Sequence, residues 1–182
     1  MVINKTGIDG LIEIIPTILN DDRGWFLESY NKDKFNALNL NLSFVQDNLS
    51  FSKAGVLRGL HFQSSPFEQG KLVKVIKGKV LDVALDLRPD SPSFGKHDKV
   101  ILTAEQQNMF FIPEGFAHGF VALEDAHLFY KCTKTYTGEY DTGIAFNDPD
   151  LAIDWGIDSP IISEKDKNLQ SFHTYKSLLG LL

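Results

Sequence analysis

The stretch GVLRGLHFQSSPFEQGK, residues 55–71, gathers an arginine, a histidine, two glutamines and a lysine between flanks that are otherwise apolar. Burying such groups costs free energy unless they find partners or a ligand. The stretch therefore predicts a strand, a loop and a second strand that carry a functional site, with His61 as its central candidate. We expect the rest of the chain to build a small β-barrel around this site.

Short segments rich in Val, Ile, Phe and Tyr recur along the chain, separated by Gly, Pro, Asn and Asp. They predict strands at residues 11–18, 24–30, 44–50, 56–63, 72–76, 80–88, 99–103, 109–112, 119–123 and 127–133. Short helices are predicted at residues 32–38, 163–166 and 174–179, and the pair Gly78-Lys79 predicts a tight hairpin. This pattern predicts an all-β jelly-roll or small barrel in one domain, residues 1–182.

The alternation of side chains along a strand indicates which residues share a face. Along residues 80–88, the face that runs from Leu81 to Leu87 is apolar, and Asp82 and Asp86 lie on the other face. We expect the apolar face to be core. Asp82 is either a second carboxylate near His61 or an ordinary residue of an exposed face, and we favour the exposed face.

Two other strands place polar side chains where a barrel interior would be apolar. Gln46 and Asn48 point the same way, which is typical of a cavity that binds a polar ligand. Arg58 and His61 are three residues apart and would point to opposite faces of a flat strand. A bulge at Gly59 is therefore predicted if both are to reach the ligand.

The charge of the chain limits its partners. It has 18 Lys and Arg against 24 Asp and Glu, a formal net charge of −6. Surfaces that bind nucleic acids are normally basic, so no nucleic-acid partner is expected. The only arginines are Arg23, Arg58 and Arg88. The planar guanidinium suits carboxylate or phosphate, although for Arg88 we expect a structural ion pair.

The N-terminal sequence MVINKTGIDGLIEII lacks the pattern of a secretory signal, and no stretch approaches the roughly 18 apolar residues of a membrane span. Cys132 is the only cysteine. A single cysteine excludes an internal disulfide and a cysteine-based zinc site. We expect a cytoplasmic protein that has no membrane partner.

A metal site is the first chemical hypothesis to test. His61, Gln63 and Glu68, followed by PEGFAH at residues 113–118, resemble the two signature segments of the cupin superfamily. This resemblance implies a cupin-type jelly-roll β-barrel. Metal-binding cupins have two histidines two residues apart in the first segment, but here the second is Gln63. An amide oxygen is a poor substitute for imidazole on a transition metal, so we expect no metal.

Proton transfer is the second hypothesis. His61, Lys71, Tyr130 and Asp166 are the groups needed to remove and return a proton beside a carbonyl. An imidazole accepts the proton, a cation stabilises the oxyanion, a phenol returns a proton from the far side, and a carboxylate orients the base. Any one of them is more often a packing residue. Together they favour proton transfer.

Longer motifs cover nearly the whole chain, and they are DDRGWFLE at residues 21–28, QDN at 46–48, GVLRGLHFQ at 55–63, DVALDLR at 82–88, SPSFG at 91–95, IPEGFAHGF at 112–120, NDP at 147–149 and SEKD at 163–166. In this order they resemble the dTDP-4-dehydrorhamnose 3,5-epimerase family. The resemblance implies a cupin jelly-roll, a homodimer and no metal or organic cofactor. It also implies inversion of C3 and C5 of dTDP-4-dehydro-6-deoxyglucose on the way to dTDP-L-rhamnose.

Carried over position by position, the resemblance assigns roles to single residues. It implies that His61 is the base, oriented by Asp166, that Tyr130 is the acid, and that Lys71 lies near the C4 oxygen. Tyr136 falls on the residue that stacks against thymine. The other ligand-binding positions are Arg23, Glu28, Gln46, Asn48, Arg58, His118, Asp141 and Lys165.

Three positions depart from the family pattern. Asp141 stands where the family has a glutamate that contacts the ligand, and Glu139 competes for that role. Gly138 replaces a common proline, and Phe146 replaces a common tryptophan. These changes are either neutral drift or a change of substrate, and we favour neutral drift. For His118, a remnant metal ligand, a packed core histidine and a substrate contact all stay open, and we favour the contact.

Other functions also stay open. A monofunctional 3- or 5-epimerase, or a ketoisomerase of another dTDP-4-keto-6-deoxy sugar, would share the fold and the base, but Tyr130 favours the 3,5-epimerase. A metal-dependent cupin such as a dioxygenase would hold iron, nickel or zinc. A catalytically silent cupin would bind the dTDP-sugar without exchanging its protons.

Overall fold

The structure is a computed structural model that describes all 182 residues. Its strands are β1 Val2–Lys5, β2 Ile12–Ile15, β3 Leu19–Asp21, β4 Gly24–Phe26, β5 Gln46–Ser52, β6 Leu57–Gln63, β7 Lys71–Lys77, β8 Lys79–Asp86, β9 His97–Thr103, β10 Met109–Ile112, β11 Phe116–Ala122, β12 Ala126–Cys132 and β13 Asp141–Gly143. Its helices are α1 Lys32–Ala37, α2 Glu164–Lys167 and α3 Phe172–Leu178, and a 3-10 turn spans Gly138–Tyr140.

Two antiparallel sheets form the body of the fold. Six strands pair in the order β1-β2-β10-β7-β12-β5, and five pair in the order β13-β6-β11-β8-β9. The short strands β3 and β4 pair only with each other. The predicted all-β jelly-roll barrel with a few short helices is confirmed. The strands β1, β3 and β13 were not predicted.

Apolar side chains from both sheets fill the space between them. Val73 and Leu128 of the six-stranded sheet pack there with Ala84 and Phe120 of the five-stranded sheet. At one end of the barrel polar side chains replace this apolar packing, and that end carries the candidate site.

The outer face of the five-stranded sheet is buried as well. Leu81 and Leu85 pack there against Trp155, which belongs to the C-terminal segment. The expectation that Leu81 and Leu85 share a buried face is therefore confirmed. The expectation of an exposed opposite face is wrong, because Asp82 and Asp86 are both 0% exposed. The C-terminal segment covers one face of β8 and the other sheet covers the second.

The hairpin predicted at Gly78-Lys79 is wrong in its pairing. Gly78 does make a tight turn with a positive φ of 80°, and a Cβ there would collide with the backbone of Asp125. However, β7 pairs with β10 and β12, whereas β8 pairs with β9 and β11. The turn carries the chain from one sheet to the other, which a local sequence signal cannot distinguish from a hairpin.

The helices are short and lie outside the barrel. Helix α1 begins after Asn31, whose side chain accepts hydrogen bonds from two backbone N–H groups of the first turn. Phe35 of α1 packs on Ile14 and Phe111. No helix in the structure has the length and apolar character needed to span a membrane.

Arg88 forms the structural ion pair expected from the sequence. Its guanidinium donates to both oxygens of Asp86 at 2.9 and 2.7 Å, and the hydroxyls of Ser91 and Ser93 donate to the same carboxylate. Burial raises the pKa of Asp86, but these hydrogen bonds outweigh it and lower the pKa to about 2 from 3.8. The cluster closes the end of β8.

We expect Asp86→Asn to lower the free energy of unfolding at pH 7 by about 2 kcal/mol, because a lowered pKa contributes stability wherever the carboxylate is ionised in both states. The difference in free energy of unfolding between the wild type and Asp86→Asn should shrink as the pH falls from about 4 toward 2. Over this range the carboxylate becomes protonated first in the unfolded state and then in the folded state. Urea unfolding at several pH values measures it. Asp154→Asn, at a carboxylate that is 81% exposed, is the control and should change little. A pH-independent loss in Asp86→Asn would contradict the assignment.

Candidate active site

A polar cavity opens at one end of the barrel, between the two sheets. Its outer part, of about 270 Å³, is lined by Gln46, Asn48, His61, Phe62, Gln63, Gln69, Lys71, Tyr130, Tyr136 and Asp141. An inner part, of about 180 Å³, shares His61, Lys71 and Tyr130 and adds Arg58 and His118. Three of the four residues expected to carry proton transfer therefore line both parts.

His61 is held by the fourth residue of that set. Its Nε2 lies 2.7 Å from Oδ1 of Asp166, and Oδ2 of Asp166 accepts a bond of 3.4 Å from the backbone N–H of Gly59. Asp166 lies in α2, which begins after Ser163 because the Ser163 hydroxyl accepts from the backbone N–H of Asp166. A carboxylate only accepts hydrogen bonds, so Nε2 of a neutral His61 donates and Nδ1 is left as the basic nitrogen.

Two effects of opposite sign act on the pKa of His61. Burial lowers it, and the nearby Asp166 carboxylate raises it. Burial is the larger effect, so the pKa lies below the ordinary value of 6.5. The imidazole is therefore mainly neutral at pH 7 and can accept a proton.

The bulge predicted at Gly59 is present. The pairing of β6 with β11 shifts its register between His118 and Phe120, and Gly59 has a φ of 128°. A Cβ at Gly59 would collide with the backbone of Gly119, so no other residue fits. The bulge brings Arg58 and His61 to the same cavity, where Arg58 donates to the hydroxyl of Ser52 at 3.0 Å.

Tyr130 and Lys71 lie on the sheet that faces His61. They belong to the neighbouring strands β12 and β7. Burial raises the pKa of the Tyr130 phenol, so it keeps its proton at neutral pH. Burial lowers the pKa of Lys71, and the nearby Cys132, Asp141 and Asp82 act in the opposite direction.

Gln46 and Asn48 point into the cavity together, as predicted, and Nε2 of Gln46 donates to Oδ1 of Asn48 at 3.1 Å. Gln46 also accepts a bond of 2.7 Å from the backbone N–H of Tyr136. Gln63 holds the same loop by accepting from the N–H of Thr137 at 2.5 Å. The sequence analysis missed this role of Gln63, because the loop is more than 70 residues away along the chain.

Tyr136, Asp141 and Lys165 form a hydrogen-bonded group at the mouth of the cavity. Oδ2 of Asp141 accepts from the Tyr136 hydroxyl at 3.0 Å and from Nζ of Lys165 at 2.5 Å. The bond to Asp141 raises the pKa of both Tyr136 and Lys165. Asp141 lines the cavity, whereas Glu139 does not.

His118 is buried at the inner end of the cavity. Its Nε2 lies 2.9 Å from each oxygen of Asp82. Asp82 is therefore an interior partner of this imidazole. The alternation of side chains along a strand could not predict this pairing, because Asp82 and His118 are 36 residues apart on different strands.

Arg23 and Glu28 lie apart from the cavity within a single chain. Arg23, on the turn between β3 and β4, forms an ion pair with Asp21 and is 90% exposed. Glu28 accepts from Lys34 and Asn31. Neither residue lines the cavity that contains His61.

The positions that correspond to cupin metal ligands have other partners. His61 is bonded to Asp166, His118 is bonded to Asp82, and both ends of the Gln63 amide bond to backbone groups. No group of three or more His, Cys, Asp or Glu side chains is placed to share a metal ion.

Comparison with known proteins places this site in a family. A family model described as dTDP-4-dehydrorhamnose 3,5-epimerase matches residues 5–174. The dTDP-4-dehydrorhamnose 3,5-epimerase of Methanothermobacter thermautotrophicus is 52% identical over 168 residues, which are 90% of each chain.

Solved structures of similar proteins point to the same family. The dTDP-6-deoxy-D-glucose-3,5-epimerase of Legionella pneumophila, in complex with dTDP-4-keto-L-rhamnose, is 45% identical with a TM-score of 0.93, over 98% of this chain and 96% of that one. A 3'-monoepimerase of Streptomyces bikiniensis, in complex with dTDP-quinovose, is 33% identical with a TM-score of 0.88, over 97% and 90% of the chains. From its sequence, its fold and its site together, the chain belongs to the dTDP-4-dehydrorhamnose 3,5-epimerase family.

Proposed function

We propose that this protein epimerises C3 and C5 of dTDP-4-dehydro-6-deoxy-D-glucose and produces dTDP-4-dehydro-L-rhamnose in dTDP-L-rhamnose biosynthesis, without a cofactor. One observation carries the proposal. A buried, neutral imidazole, His61, lies 2.7 Å from a carboxylate on one sheet, and a protonated phenol, Tyr130, faces it from the other sheet.

The chemistry follows from the positions of these groups. The C4 ketone acidifies the C–H bonds at C3 and C5, and Nδ1 of His61 takes the proton while the electron pair moves onto the C4 oxygen. Asp166 stabilises the imidazolium that forms. Lys71 supplies positive charge for the enolate oxygen in a site largely shielded from water. Tyr130 then donates a proton from the opposite face, which inverts the carbon.

The remaining predicted residues supply binding. Arg58 and Lys165 offer positive charge to the diphosphate, despite the net charge of −6. Tyr136, 56% exposed at the mouth of the cavity, offers an aromatic face to thymine. Gln46, Asn48, His118 and Asp141 provide hydrogen-bonding groups around the sugar and the nucleotide.

A monofunctional 3-epimerase is the second candidate, since a solved 3'-monoepimerase shares this fold at 33% identity. Both reactions use the same base and acid. The difference lies in how many carbons of the sugar exchange their protons.

We also propose that the protein works as a homodimer in the cytoplasm, where disulfides are rare and a free cysteine such as Cys132 stays reduced. Leu49 and Phe51 are exposed on the edge strand β5, and Trp25 and Phe26 are exposed on the β3-β4 hairpin. Exposed apolar side chains on an unpaired edge favour association. If Arg23 and Glu28 bind the ligand, as the family resemblance implies, a second copy must supply them, because neither lines the cavity of its own chain.

We expect incubation with dTDP-4-dehydro-6-deoxyglucose in heavy water to place deuterium at both C3 and C5, as NMR or mass spectrometry would detect. His61→Asn should lose exchange at both carbons by at least 100-fold, because the base is missing. Tyr130→Phe should reduce product more than it reduces exchange. Label at one carbon only would support the monofunctional enzyme, and no label with intact binding would support the silent binder. Full exchange by His61→Asn would remove His61 from its role.

We expect Asp166→Asn to lower kcat/KM at least tenfold and to move its acidic limb to lower pH. The limb moves in this direction because burial lowers the pKa of His61 and the Asp166 carboxylate raises it. Without that negative charge, the pKa of His61 falls further. The wild-type limb should already lie below 6.5. A pH-rate profile of both proteins measures this, and an acidic limb that stays in place or moves upward would contradict it.

Coexpression of two differently tagged variants tests the shared site. Arg23→Ala should lose roughly 10- to 100-fold in kcat/KM through the missing charged contact, and His61→Asn should be inactive. If Arg23 acts in the partner's cavity, a 1:1 mixture should recover about a quarter of the wild-type sites, because half of the dimers are mixed and each has one complete site. A mixture no more active than its components would show that Arg23 acts within its own chain.

A further inference from the structure

The proposed mechanism does not use one buried pair beside the cavity, which is formed by Asp82 and His118. Asp82 is 0% exposed and His118 is 7% exposed. Both carboxylate oxygens lie 2.9 Å from the same atom, Nε2 of His118. A buried carboxylate is costly unless it is paired, so this geometry fixes the direction of the imidazole ring.

The second nitrogen of His118 faces the cavity. Nδ1 has no hydrogen-bonding partner in the chain. Every buried side-chain nitrogen or oxygen of the structure has such a partner, so Nδ1 is not one of the buried atoms. Nδ1 is therefore accessible, and the residue lines the inner cavity together with His61, Lys71 and Tyr130. With its proton on Nε2 facing Asp82, a neutral His118 presents Nδ1 as a hydrogen-bond acceptor.

The pair lies beside the proposed base. His118 and His61 are cross-strand neighbours on β11 and β6, so both rings point to the same side of the sheet. Two imidazoles, each oriented by its own carboxylate, therefore stand next to each other on one wall of the cavity.

Burial raises the pKa of Asp82, and the nearby His118 and Lys71 act in the opposite direction. His118 is the one of the two that is hydrogen-bonded to Asp82.

We propose that Asp82 is a positioning residue for the epimerisation: it holds His118 through Nε2 so that Nδ1 faces the sugar. This inference rests on the proposed function. Asp82 touches neither the ligand nor the reacting atoms. It acts through His118.

Asp82→Asn keeps the shape of the side chain, but it replaces one of the two oxygens near Nε2 of His118 with an amide N–H donor. We expect kcat on dTDP-4-dehydro-6-deoxyglucose to fall at least tenfold while KM changes less than threefold. A purely structural role would not separate kcat from KM in this way.

Asp86→Asn is the matched control. Asp86 lies on the same strand and the same face and is equally buried, but its partners are Arg88, Ser91 and Ser93 outside the cavity. It should lose stability while keeping the wild-type kcat and KM. The proposal is overturned if Asp82→Asn behaves like the wild type, or if both variants show the same change in kcat and KM.

A measurement on the wild type keeps the proposal testable if Asp82→Asn fails to fold. In protein labelled with ¹⁵N-histidine, and with His118→Gln to assign the signals, the NMR spectrum should show a proton on Nε2 of His118. A bare Nε2 with the proton on Nδ1 would overturn the proposal. This readout needs no turnover, so it is independent of the proposed function, whose failure would appear as a wild type that exchanges no deuterium.

Discussion

The hydrogen bond between His61 and Asp166 is the interaction on which the site depends. It joins β6 to a C-terminal helix 105 residues later in the chain. Helix α2 has only four residues and would not be stable alone. The Ser163 cap, the bond from Asp166 to the Gly59 backbone and the ion pair between Lys165 and Asp141 hold it in place. Docking of the C-terminal segment therefore completes the pair of His61 and Asp166, which we propose to be catalytic.

The barrel makes this pair useful. His61 lies on the five-stranded sheet, and Tyr130 and Lys71 lie on the six-stranded sheet that faces it. A flat ligand between the sheets would meet a base on one side and an acid on the other, as inversion of a carbon requires. The same burial that makes His61 neutral also keeps the proton of Tyr130, so one physical effect adjusts both groups.

Burial also creates the main electrostatic problem of the site, which is a buried lysine that lines both parts of the cavity. Lys71 has its pKa lowered by burial, and anionic groups around it act against that effect. Asp82 is one of them, and it is bonded to His118 with both oxygens. Charge is thus distributed between the two sheets, and the apolar cluster beneath the cavity keeps these groups at fixed separations.

Local patterns in the sequence were sufficient for several features. Alternation along β8 identified Leu81 and Leu85 as one buried face, and the three-residue spacing of Arg58 and His61 required the bulge that Gly59 forms. The motifs identified the family and nominated the residues of the cavity. The predictions from alternation and from the bulge succeed because the alternation of side chains and the backbone geometry of glycine are properties of a single strand.

The sequence by itself determined the strand-rich architecture, the family and the chemical types of the groups at the site. Only the tertiary structure decided that β7 and β8 lie in different sheets, that Asp82 is an interior partner of His118, that Gln63 holds the loop at Thr137, and that Arg23 lies away from its own cavity. Each of these depends on contacts between segments far apart in the chain. The energy of such contacts comes from burial and hydrogen bonding between segments that are distant in sequence, which no local pattern of residues encodes.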